Sequence, residues 1–371
     1  MKISARPIGW GEPAPWFEGR TLINPQFAFS SLGGRFVALS FFGRGSEPAA
    51  RRFLEALVAS RLARDDARYV SFGVSLDEAD LNDELTQRAF PPQRIFHDAE
   101  GRIAASYGLL SSDETSGKLS YRPLWFILDP MLRVLASGTL DQAQAFVATL
   151  RALPRPDDHA GQVGQLWAPV LLTPRVLLPE LCRALIEVYR QGEPQVSGFM
   201  RTEGGKTVGK LDPSFKRRAD VVIEDESLRA ALRDAIRLRL LPEIQKAFQF
   251  KVTRIERYIV ACYGGEDGGF FRAHRDNTTA GTAHRRFAVT INLNAEDYDG
   301  GELWFPEYGT RRYKPPTGAA IVFSCSLLHE ATPVTRGLRY ATLPFLYDEE
   351  AARIREANNQ FLGDGVGAYR E

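Results

Sequence analysis

The chain has 371 residues, of which 44% are hydrophobic and 25% are charged, as is typical of a folded globular protein and not of a disordered or fibrous one. Its length exceeds that of one ordinary hydrophobic core and predicts two domains. Because 47 lysine and arginine residues nearly balance 46 aspartate and glutamate residues, the net charge argues against a nucleic-acid or anionic-membrane partner.

The cysteine content and the apolar pattern indicate the cellular compartment of the protein. Cys182, Cys262 and Cys325 lie far apart and form no CxxC pair, which favours a reducing compartment. The first residues contain no apolar segment typical of secretory signals, and no uncharged apolar run approaches the roughly 20 residues of a membrane helix. We therefore expect a cytoplasmic protein without a membrane partner.

Strand-like and helix-like segments alternate through the first part of the chain. Short apolar runs predict strands at residues 35–42, 69–75, 124–129 and 133–138. Apolar residues three and four apart, or helix-favouring composition, predict helices at residues 48–63, 76–88 and 140–153. This alternation predicts an α/β domain whose sheet begins with parallel strands.

Four segments of this region carry a family resemblance: GEPAPWF at 11–17, SFF at 40–42, VSLDEAD at 74–80 and RPLWFILDP at 122–130. They resemble the peroxiredoxin family, which implies a thioredoxin-like fold. That family carries its peroxidatic cysteine just after the first long strand, where this chain reads GRGSEPAARRF and has no cysteine before Cys182. Since peroxide reduction requires a thiolate, we expect no peroxidatic cysteine here. The domain is instead predicted to be a docking or scaffolding module that holds the substrate, a carrier or a second subunit, so that it contacts a protein or a second copy of the chain.

The segment LPRPDDHAGQVG at 153–164 interrupts the periodic pattern with prolines, glycines and charges. It predicts a first domain at residues 1–153, a linker at 154–164 and a second domain at 165–371. Helices are predicted at 179–191, 227–250 and 349–362. Between 253 and 347 short strands alternate with Gly and Pro turns, which indicates an antiparallel sandwich or jelly roll.

His274 and Asp276 lie two positions apart in FFRAHRDN, and His329 follows in LLHEATPV. In an extended strand, residues i and i+2 point to the same face, so both side chains of the first pair could reach one ion. Two imidazoles and one carboxylate are the ligand set of non-haem Fe(II) oxygenases. An isolated HxD is a weak signal, because His274 could equally be a hydrogen-bonded core histidine and Asp276 a turn cap.

Further motifs strengthen the metal hypothesis. DGGELWF at 299–305, PPTGAAIVF at 315–323 and HEATPVTRGLR at 329–339 each join a turn to a strand. The last of these places Arg339 ten residues after His329. An arginine can bind a carboxylate through two parallel hydrogen bonds, as a co-substrate with a distal carboxylate would require.

Tyr263, HRD at 274–276, GGEL at 300–303, PxxG at 315–318 and the spacing from His329 to Arg339 together resemble the prolyl-4-hydroxylase-type 2-oxoglutarate/Fe(II) dioxygenases. The resemblance implies a double-stranded β-helix with flanking helices and iron bound by His274, Asp276 and His329. It implies that Arg339 binds the 2-oxoglutarate C5 carboxylate, with Tyr263 nearby. It also implies O₂ as a co-substrate and ascorbate as a reductant. The expected reaction hydroxylates a C–H bond of a small molecule, amino acid or prolyl residue and releases succinate and CO₂.

Other residues near these motifs receive simpler interpretations. His284 is expected to be solvated, Arg336 exposed and Cys325 a buried apolar group. The run Lys216-Arg217-Arg218 is typical of a solvated surface turn. Substrate specificity is nevertheless expected from two polar loops at 197–220 and 277–286, including Lys216 and Arg217, and one of the loops is predicted to be a mobile lid.

Two other functions remain open at this stage. The jelly roll could be a non-catalytic sensor that signals its metal or 2-oxoglutarate occupancy to a partner. It could also belong to the oxygenases that repair alkylated bases, although the neutral charge and the lack of basic stripes with interleaved aromatic residues argue against that.

Overall fold

The computed structural model describes residues 6–62, 68–112, 119–156, 158 and 166–369. The chain divides into two compact units, Met1–Trp167 with Pro306–Thr310 and Ala168–Phe305 with Arg311–Glu371. Most of the predicted linker at 154–164 falls outside the described residues, so the predicted domain bounds stay a prediction.

The first unit is an α/β structure. Its strands are β1 (Glu18–Gly19), β2 (Phe27–Ala28), β3 (Phe36–Gly43), β4 (Tyr69–Ser75), β5 (Ile95–His97), β6 (Leu110–Ser112), β7 (Leu119–Tyr121), β8 (Leu124–Leu128) and β9 (Val134–Thr139). Its helices are α1 (Pro48–Ser60), α2 (Glu84–Ala89), α3 (Arg102–Ser106) and α4 (Ala143–Ala152).

A five-stranded sheet in the order β5-β4-β3-β8-β9 forms the centre of this unit. The first three strands pair in parallel, whereas β8 and β9 are antiparallel to their neighbours. Separate apolar clusters cover the two faces of the sheet, which explains why β3 and β4 are apolar at nearly every position. The predicted thioredoxin-like fold is confirmed.

One predicted helix of the first unit is wrong. Residues 76–88 do not form a continuous helix but a 3₁₀ turn at Glu78–Leu81 followed by the short α2. Asp77 and Asp83 each accept a hydrogen bond from a backbone N–H two or three residues later, and so each begins a new element. Aspartate side chains favour such caps over continuation of a helix.

The second unit is dominated by short strands. They are β10 (Leu171–Thr173), β11 (Gln195–Val196), β12 (Phe199–Glu203), β13 (Lys206–Lys210), β14 (Lys216–Arg217), β15 (Ala219–Val222), β16 (Arg254–Glu256), β17 (Ile259–Gly264), β18 (Phe270–His274), β19 (Phe287–Asn292), β20 (Asp299–Gly300), β21 (Leu303–Trp304), β22 (Arg312–Tyr313), β23 (Ala320–Ser324), β24 (His329–Ala331), β25 (Val334–Arg336), β26 (Leu338–Thr342) and β27 (Phe345–Tyr347). Its helices are α5 (Pro179–Gln191), α6 (Glu226–Arg239), α7 (Leu241–Phe248) and α8 (Glu349–Ala357).

Two antiparallel sheets make up the barrel. The larger sheet follows the order β10-β23-β19-β26-β17-β15-β11, with β16 and β27 joined beside β19, and the smaller sheet follows β14-β18-β24-β21-β22. One face of the larger sheet packs on α5, α6 and α7 through a large apolar cluster. Between the sheets, Tyr263 of the larger sheet packs with Phe271 and Ala331 of the smaller one. The predicted double-stranded β-helix is confirmed.

The helices agree with the prediction except at 227–250. That segment is two helices, because α6 ends at Arg239 and α7 begins at Leu241 with Pro242 in its first turn. Proline is tolerated there but would interrupt a continuous helix, since it lacks an N–H. Among the described residues, no helix is both long and apolar enough to cross a membrane.

The segment 197–220, predicted as a polar loop, is largely strand. It folds into the β12–β13 hairpin and then into β14 and β15. Thr207 ties the hairpin to two other segments: its Oγ1 accepts a hydrogen bond from Gly281 N (2.9 Å) and its carbonyl accepts one from Gly363 N (2.8 Å). At the other end of the hairpin, Phe199 packs on Phe215. The predicted mobility of this segment stays a prediction.

Candidate active site

Three side chains that could hold a metal ion converge inside the barrel. His274 ends β18 and is the direct cross-strand neighbour of His329, which begins β24. Asp276 follows β18, and its backbone N–H donates to Cys325 O (2.9 Å). One potential ligand atom from each of the three side chains lies within 4.8 Å of the other two, the only such group among the described residues. The sequence prediction thus names the residues that the fold brings together.

The same backbone contact orients both imidazoles. His274 Nδ1 lies 2.7 Å from Arg272 O, and His329 Nδ1 lies 3.0 Å from Leu327 O. An Nδ1–H donated to a carbonyl leaves the Nε2 lone pair available, which is the usual arrangement for a metal-binding histidine. The two Nε2 atoms lie 3.5 and 3.4 Å from the carboxylate oxygens of Asp276.

The electrostatics of His329 and Asp276 match those of metal ligands. Burial, reinforced by His274, lowers the pKa of His329 to about 4, so this imidazole is neutral at pH 7. Burial opposes ionisation of Asp276, but the nearby His329 and His274 outweigh it and hold the pKa of that carboxyl below its usual range. A divalent metal requires this combination of a neutral imidazole and an ionised carboxylate. Three protein ligands leave up to three coordination positions for other molecules.

Aromatic rings surround the two histidines. The ring of Phe271 stacks on His274 with centroids 3.5 Å apart, and the ring of Phe323 meets His329 edge-on at 4.6 Å. Both phenylalanines are buried. They form apolar walls that restrict the imidazoles and limit the access of water.

Arg339 is a buried cation on β26. Its side chain is only 2% exposed, and its Nε and Nη1 have no hydrogen-bond partner among the described residues. It is paired in register with Tyr263 of β17, whose ring centroid is 4.8 Å from the guanidinium carbon. A buried guanidinium without acceptors is costly, so these two donors fit an anionic ligand such as a carboxylate.

The sequence did not single out Tyr298. This buried side chain lies next to Arg339, and its hydroxyl forms no well-shaped hydrogen bond among the described residues. Its position immediately before the DGGEL turn was the available signal. Burial raises the pKa of Tyr298 although Arg339 opposes the rise, so the phenol remains a hydrogen-bond donor.

The two predicted substrate residues lie on opposite faces of β14. Lys216 is buried, and its Nζ donates to Ser197 Oγ (2.8 Å) and Gly198 O (2.6 Å). Arg217 is exposed and donates to the backbone carbonyls of Pro213 (3.0 Å) and Asp267 (2.9 Å). The interpretation of this basic run as a solvated turn is therefore wrong. Lys216 and Arg217 form a strand, in which neighbouring side chains point to opposite faces, so Lys216 is buried although Arg217 is exposed. The interpretation is wrong for Arg218 too, which is also buried.

His284 is not the solvated histidine that its sequence context predicts. Its side chain is buried, and its Nε2 lies 2.6 Å from Glu256 Oε2. Arg285 Nη2 donates to the other oxygen of the same carboxylate at 2.8 Å. His284 lies outside the group that could hold a metal. Cys325 is buried and Arg336 is exposed and paired with Asp299, as expected.

The region predicted to lack a peroxidatic cysteine is built around a carboxylate. Asp80 accepts hydrogen bonds from Gly45 N (2.9 Å), in the segment that precedes α1, and from Ser75 Oγ (2.5 Å), at the end of β4. The chain's three cysteines are all in the second unit, where they are buried and free. The first unit therefore offers no thiol.

Comparison with known proteins agrees with the site. A family model described as the 2OG-Fe(II) oxygenase superfamily matches residues 258–347, which include the three candidate ligands and Arg339. A PKHD-type hydroxylase of Klebsiella pneumoniae subsp. pneumoniae is 32% identical over 175 residues, covering 43% of this chain and 75% of that protein. A PKHD-type hydroxylase of Synechococcus sp. (strain JA-2-3B'a(2-13)) is 38% identical over 98 residues. The alignment covers 25% of this chain and 43% of the Synechococcus protein, so the chain spans less than half of that relative.

Solved structures resemble the two parts of the chain separately. A prolyl hydroxylase from Trichoplax adhaerens, in complex with a hypoxia inducible factor peptide fragment, covers 53% of this chain and 90% of its own, with 18% identity and a TM-score of 0.41. The bacterioferritin comigratory protein of Xanthomonas campestris covers 38% of this chain and 91% of its own, with 20% identity and a TM-score of 0.32.

Proposed function

The chain belongs to the PKHD-type hydroxylase family of 2OG-Fe(II) oxygenases, and on that premise we propose that it is an Fe(II)- and 2-oxoglutarate-dependent dioxygenase that hydroxylates a C–H bond. The observation that carries the proposal is the pairing of two features in one barrel. His274, Asp276 and His329 converge with one potential ligand atom each within 4.8 Å of the other two, and Arg339 is a buried cation whose Nε and Nη1 lack partners among the described residues.

The residues of the site fit the two groups that the family uses. His274, Asp276 and His329 would hold Fe(II), and Arg339 would hold the C5 carboxylate of 2-oxoglutarate beside Tyr263. When bound, iron with 2-oxoglutarate and O₂ supplies the oxidising chemistry that converts C–H to C–OH and releases succinate and CO₂. The protein's contribution is to bind, orient and exclude water.

Each of those contributions corresponds to a contact described above. The carbonyls of Arg272 and Leu327 fix the orientation of the imidazoles, and the rings of Phe271 and Phe323 cover them. Arg339 would fix the far end of the co-substrate, with Tyr298 available as a further donor. Ascorbate as a reductant follows from the resemblance alone and remains part of the proposal.

The first experiment is anaerobic. Fe(II) and then 2-oxoglutarate are added to metal-free protein, and the visible charge-transfer band of the chelate is followed before air is admitted and succinate is assayed. A band in the wild type that is lost in His274→Ala, followed by succinate release, supports the oxygenase. A band without succinate would favour the sensor function instead. No band in the wild type would overturn both.

The substrate is proposed to be a peptide or a small molecule, with a prolyl residue as one candidate and nucleic acid disfavoured. Of the two predicted substrate residues we retain Lys216 as a proposed contact, because Arg217 lies exposed on the opposite face of β14. We propose cytoplasmic localisation, supported by the three free cysteines. Substrate-dependent succinate release over a panel of free amino acids and short peptides tests the substrate class. No stimulation by any member would contradict it.

We also propose that the first unit contacts a protein or a second copy of the chain. Its support is a group of exposed apolar side chains close in sequence, among them Trp10 (82% exposed) and Ile23 (73%). Sedimentation of the full chain and of a Trp10→Ser/Ile23→Ser variant tests the second copy. A monomer in both cases would leave a different protein as the partner, and co-purification that does not depend on these residues would contradict the proposal.

A further inference from the structure

Four charged side chains form a cluster beside the candidate active site. We define the cationic cluster as Lys216 of β14, Arg218, Asp220 of β15 and Arg257. Lys216, Arg218 and Asp220 occupy alternate positions along the chain, and Asp220 lies opposite Ala261 of β17. Ala261 is two residues from Tyr263, whose ring packs between the sheets, so Asp220 shares that inward-facing side of the larger sheet.

Ser197 connects the members of the cluster. Its Oγ donates to Asp220 Oδ2 (2.6 Å) and accepts from Lys216 Nζ (2.8 Å) and from Arg218 Nη2 (2.9 Å). Arg218 Nη2 also donates to Asp220 Oδ2 (2.7 Å), and Arg257 lies 3.5 Å from the same oxygen. The positions of the charged groups are therefore fixed by several short contacts.

The cluster has more positive than negative charge. It contains three basic groups and one carboxylate, and burial of Asp220 is outweighed by Arg218 and Arg257, which keep its pKa below the usual range. Arg218 is almost fully buried, yet its Nε has no hydrogen-bond partner among the described residues. Lys216 donates two of the three N–H groups that an ammonium has. Buried donors without acceptors are costly, so the arrangement fits an oxyanion.

The cluster borders both parts of the proposed active site. Lys216 Nζ lies 4.6 Å from the ring centroid of Phe271, the same ring that stacks on His274. Arg218 Nη1 lies 3.4 Å from the hydroxyl of Tyr263, the same ring that faces Arg339. One aromatic ring thus separates the cluster from a candidate metal ligand, and another separates it from the proposed co-substrate residue.

We infer that the substrate carries a carboxylate, which Lys216 and Arg218 bind while the rest of the substrate extends toward the metal. The inference rests on the proposed function and adds a substrate class to it. The C5 carboxylate of 2-oxoglutarate would balance Arg339 and leave the surplus charge of the cluster uncompensated. A carboxylate on the substrate supplies an acceptor for Arg218 Nε and for the third N–H that Lys216 gains when the bound carboxylate favours its protonation.

The protonation of Lys216 gives this binding a signature. Burial, followed by the nearby Arg218, lowers the pKa of Lys216 to about 5 although Asp220 opposes the shift, so the amine is neutral at pH 7 without a bound ligand. A carboxylate beside it favours the ammonium form, and the proton comes from the buffer. Binding of an acid should therefore be accompanied by proton uptake at pH 7, whereas an uncharged ligand should take up none.

The test compares ligands that differ only in the carboxylate. N-acetyl derivatives of the protein amino acids, each as the free acid and as the carboxamide, are titrated into the full chain loaded anaerobically with Fe(II) and 2-oxoglutarate. Calorimetry in buffers of different ionisation enthalpy measures affinity and proton uptake. We expect at least one acid to bind about 30-fold or more tighter than its amide, with proton uptake.

The variant Lys216→Met should lose that discrimination and the proton uptake while it keeps the chelate band of 2-oxoglutarate. Lys246→Met removes a lysine that is 75% exposed on α7 and should behave like the wild type. Ser197→Ala should weaken acid binding less than Lys216→Met, because it removes only the group that positions the amine.

Three outcomes would overturn the inference: equal binding of acids and amides, unchanged acid binding in Lys216→Met, or no binding of any acid up to about 10 mM. A missing chelate band would instead contradict the proposed oxygenase. The acid and amide comparison would still be made by calorimetry on the metal-free chain, so the two failures are distinguishable.

Discussion

His274 and His329 are direct cross-strand neighbours, and each places its Nδ1 against the carbonyl two residues earlier in its own chain segment. The two imidazoles are thus oriented by the same backbone contact on antiparallel strands, and both Nε2 atoms are directed to the carboxylate of Asp276. The arrangement requires the irregular register between Phe271 and His274, which brings His274 opposite His329.

Removing the carboxylate should remove the metal site. Asp276→Ala leaves two imidazoles and no carboxylate to compensate a divalent ion, so we expect Fe(II) binding to weaken and succinate formation to fall more than about 100-fold. Iron content after gel filtration and succinate release are the measurements. Asp299→Ala, which removes an exposed carboxylate paired with Arg336, is the control. Iron retention in Asp276→Ala equal to the wild type would contradict the assignment.

Arg339 and Arg336 form a matched pair three residues apart. Arg339→Met should raise the KM for 2-oxoglutarate about 30-fold or more, because it removes a buried cation that we propose binds a carboxylate. Arg336→Met removes an exposed cation paired with Asp299 and should change that KM less than about twofold. Succinate release as a function of 2-oxoglutarate measures both. Similar KM values for the two variants would show that another residue binds the co-substrate.

Gly301 lies against Arg339 in the DGGEL turn. Its φ is +66°, and an added Cβ would come within 3.0 Å of Arg339 Cδ and 2.9 Å of Val334 Cγ2. We expect Gly301→Ala to destabilise the protein by about 2–4 kcal/mol and to weaken 2-oxoglutarate binding. Gly204→Ala is the control, because Gly204 has a φ of +55° but no atom within 4 Å of the added Cβ. Equal shifts in Tm would mean that the backbone angle alone determines the effect.

Glu256 is the shared partner of His284 and Arg285, and its loss should be costly. Burial opposes its ionisation, but Arg285 and the hydrogen bond from His284 dominate and lower the pKa of Glu256 well below its usual range. Because the folded pKa is depressed, the stabilisation is present above about pH 4.5 and is lost as pH falls. Glu256→Gln should cost about 3–5 kcal/mol at pH 7, and the cost should shrink on acidification.

Denaturant unfolding at pH 7 and at about pH 3 measures this dependence, because the stabilisation is lost only as pH falls toward the depressed folded pKa. Glu349→Gln removes an exposed carboxylate paired with Arg254 and should cost less than about 1 kcal/mol at either pH. A cost for Glu256→Gln that does not change with pH would show that its packing, not its charge, stabilises the fold.

The buried thiols should be unreactive. Burial raises the pKa of both Cys182 and Cys262 to about 11, so roughly one thiol in a thousand is ionised at pH 8. We expect iodoacetamide to label these two positions slowly in the native protein and rapidly after unfolding in guanidinium chloride. Mass spectrometry of peptides after timed labelling is the measurement, and the denatured protein is the internal control. Rapid labelling of native Cys182 would show that its helix opens frequently.

The sequence predicted the fold where local pattern and tertiary environment agree. Tyr69–Ser75 is buried on both faces of the sheet, so its continuous apolar run identified the strand with correct bounds. Pro179–Gln191 combines an initial proline with one apolar face, and its bounds were also correct. The proposed ligands were found because the HxD motif and the motifs after it match a known family, not because of strand geometry, since Asp276 lies in the turn after β18. Arg339 was found because its spacing from His329 matches the same family.

Other features depend on contacts between segments that are distant in sequence, so they could not be predicted from the local sequence pattern. Lys216 is buried only because β14 pairs with β18 and places it over Phe271. His284 is buried because Glu256, 28 residues away in sequence, provides an acceptor. The three consecutive charges of Lys216, Arg217 and Arg218 indicated a surface turn. In the structure, successive side chains alternate between the two faces, and this alternation determines which of them are buried.

The contacts of Thr207 join the β12–β13 hairpin to the end of the chain. Lys206 Nζ also donates to Gln360 O across 154 positions of sequence, and Gly363 N donates to Thr207 O. The hairpin begins at Phe199, which packs on the ring that covers His274. A tag, truncation or cleavage after Ala357 would therefore change the contacts of the β12–β13 hairpin, which lies beside the catalytic centre. Mutations in either segment should consequently affect the other. Engineering of the substrate preference should treat residues 199–210 and 358–363 as a single unit.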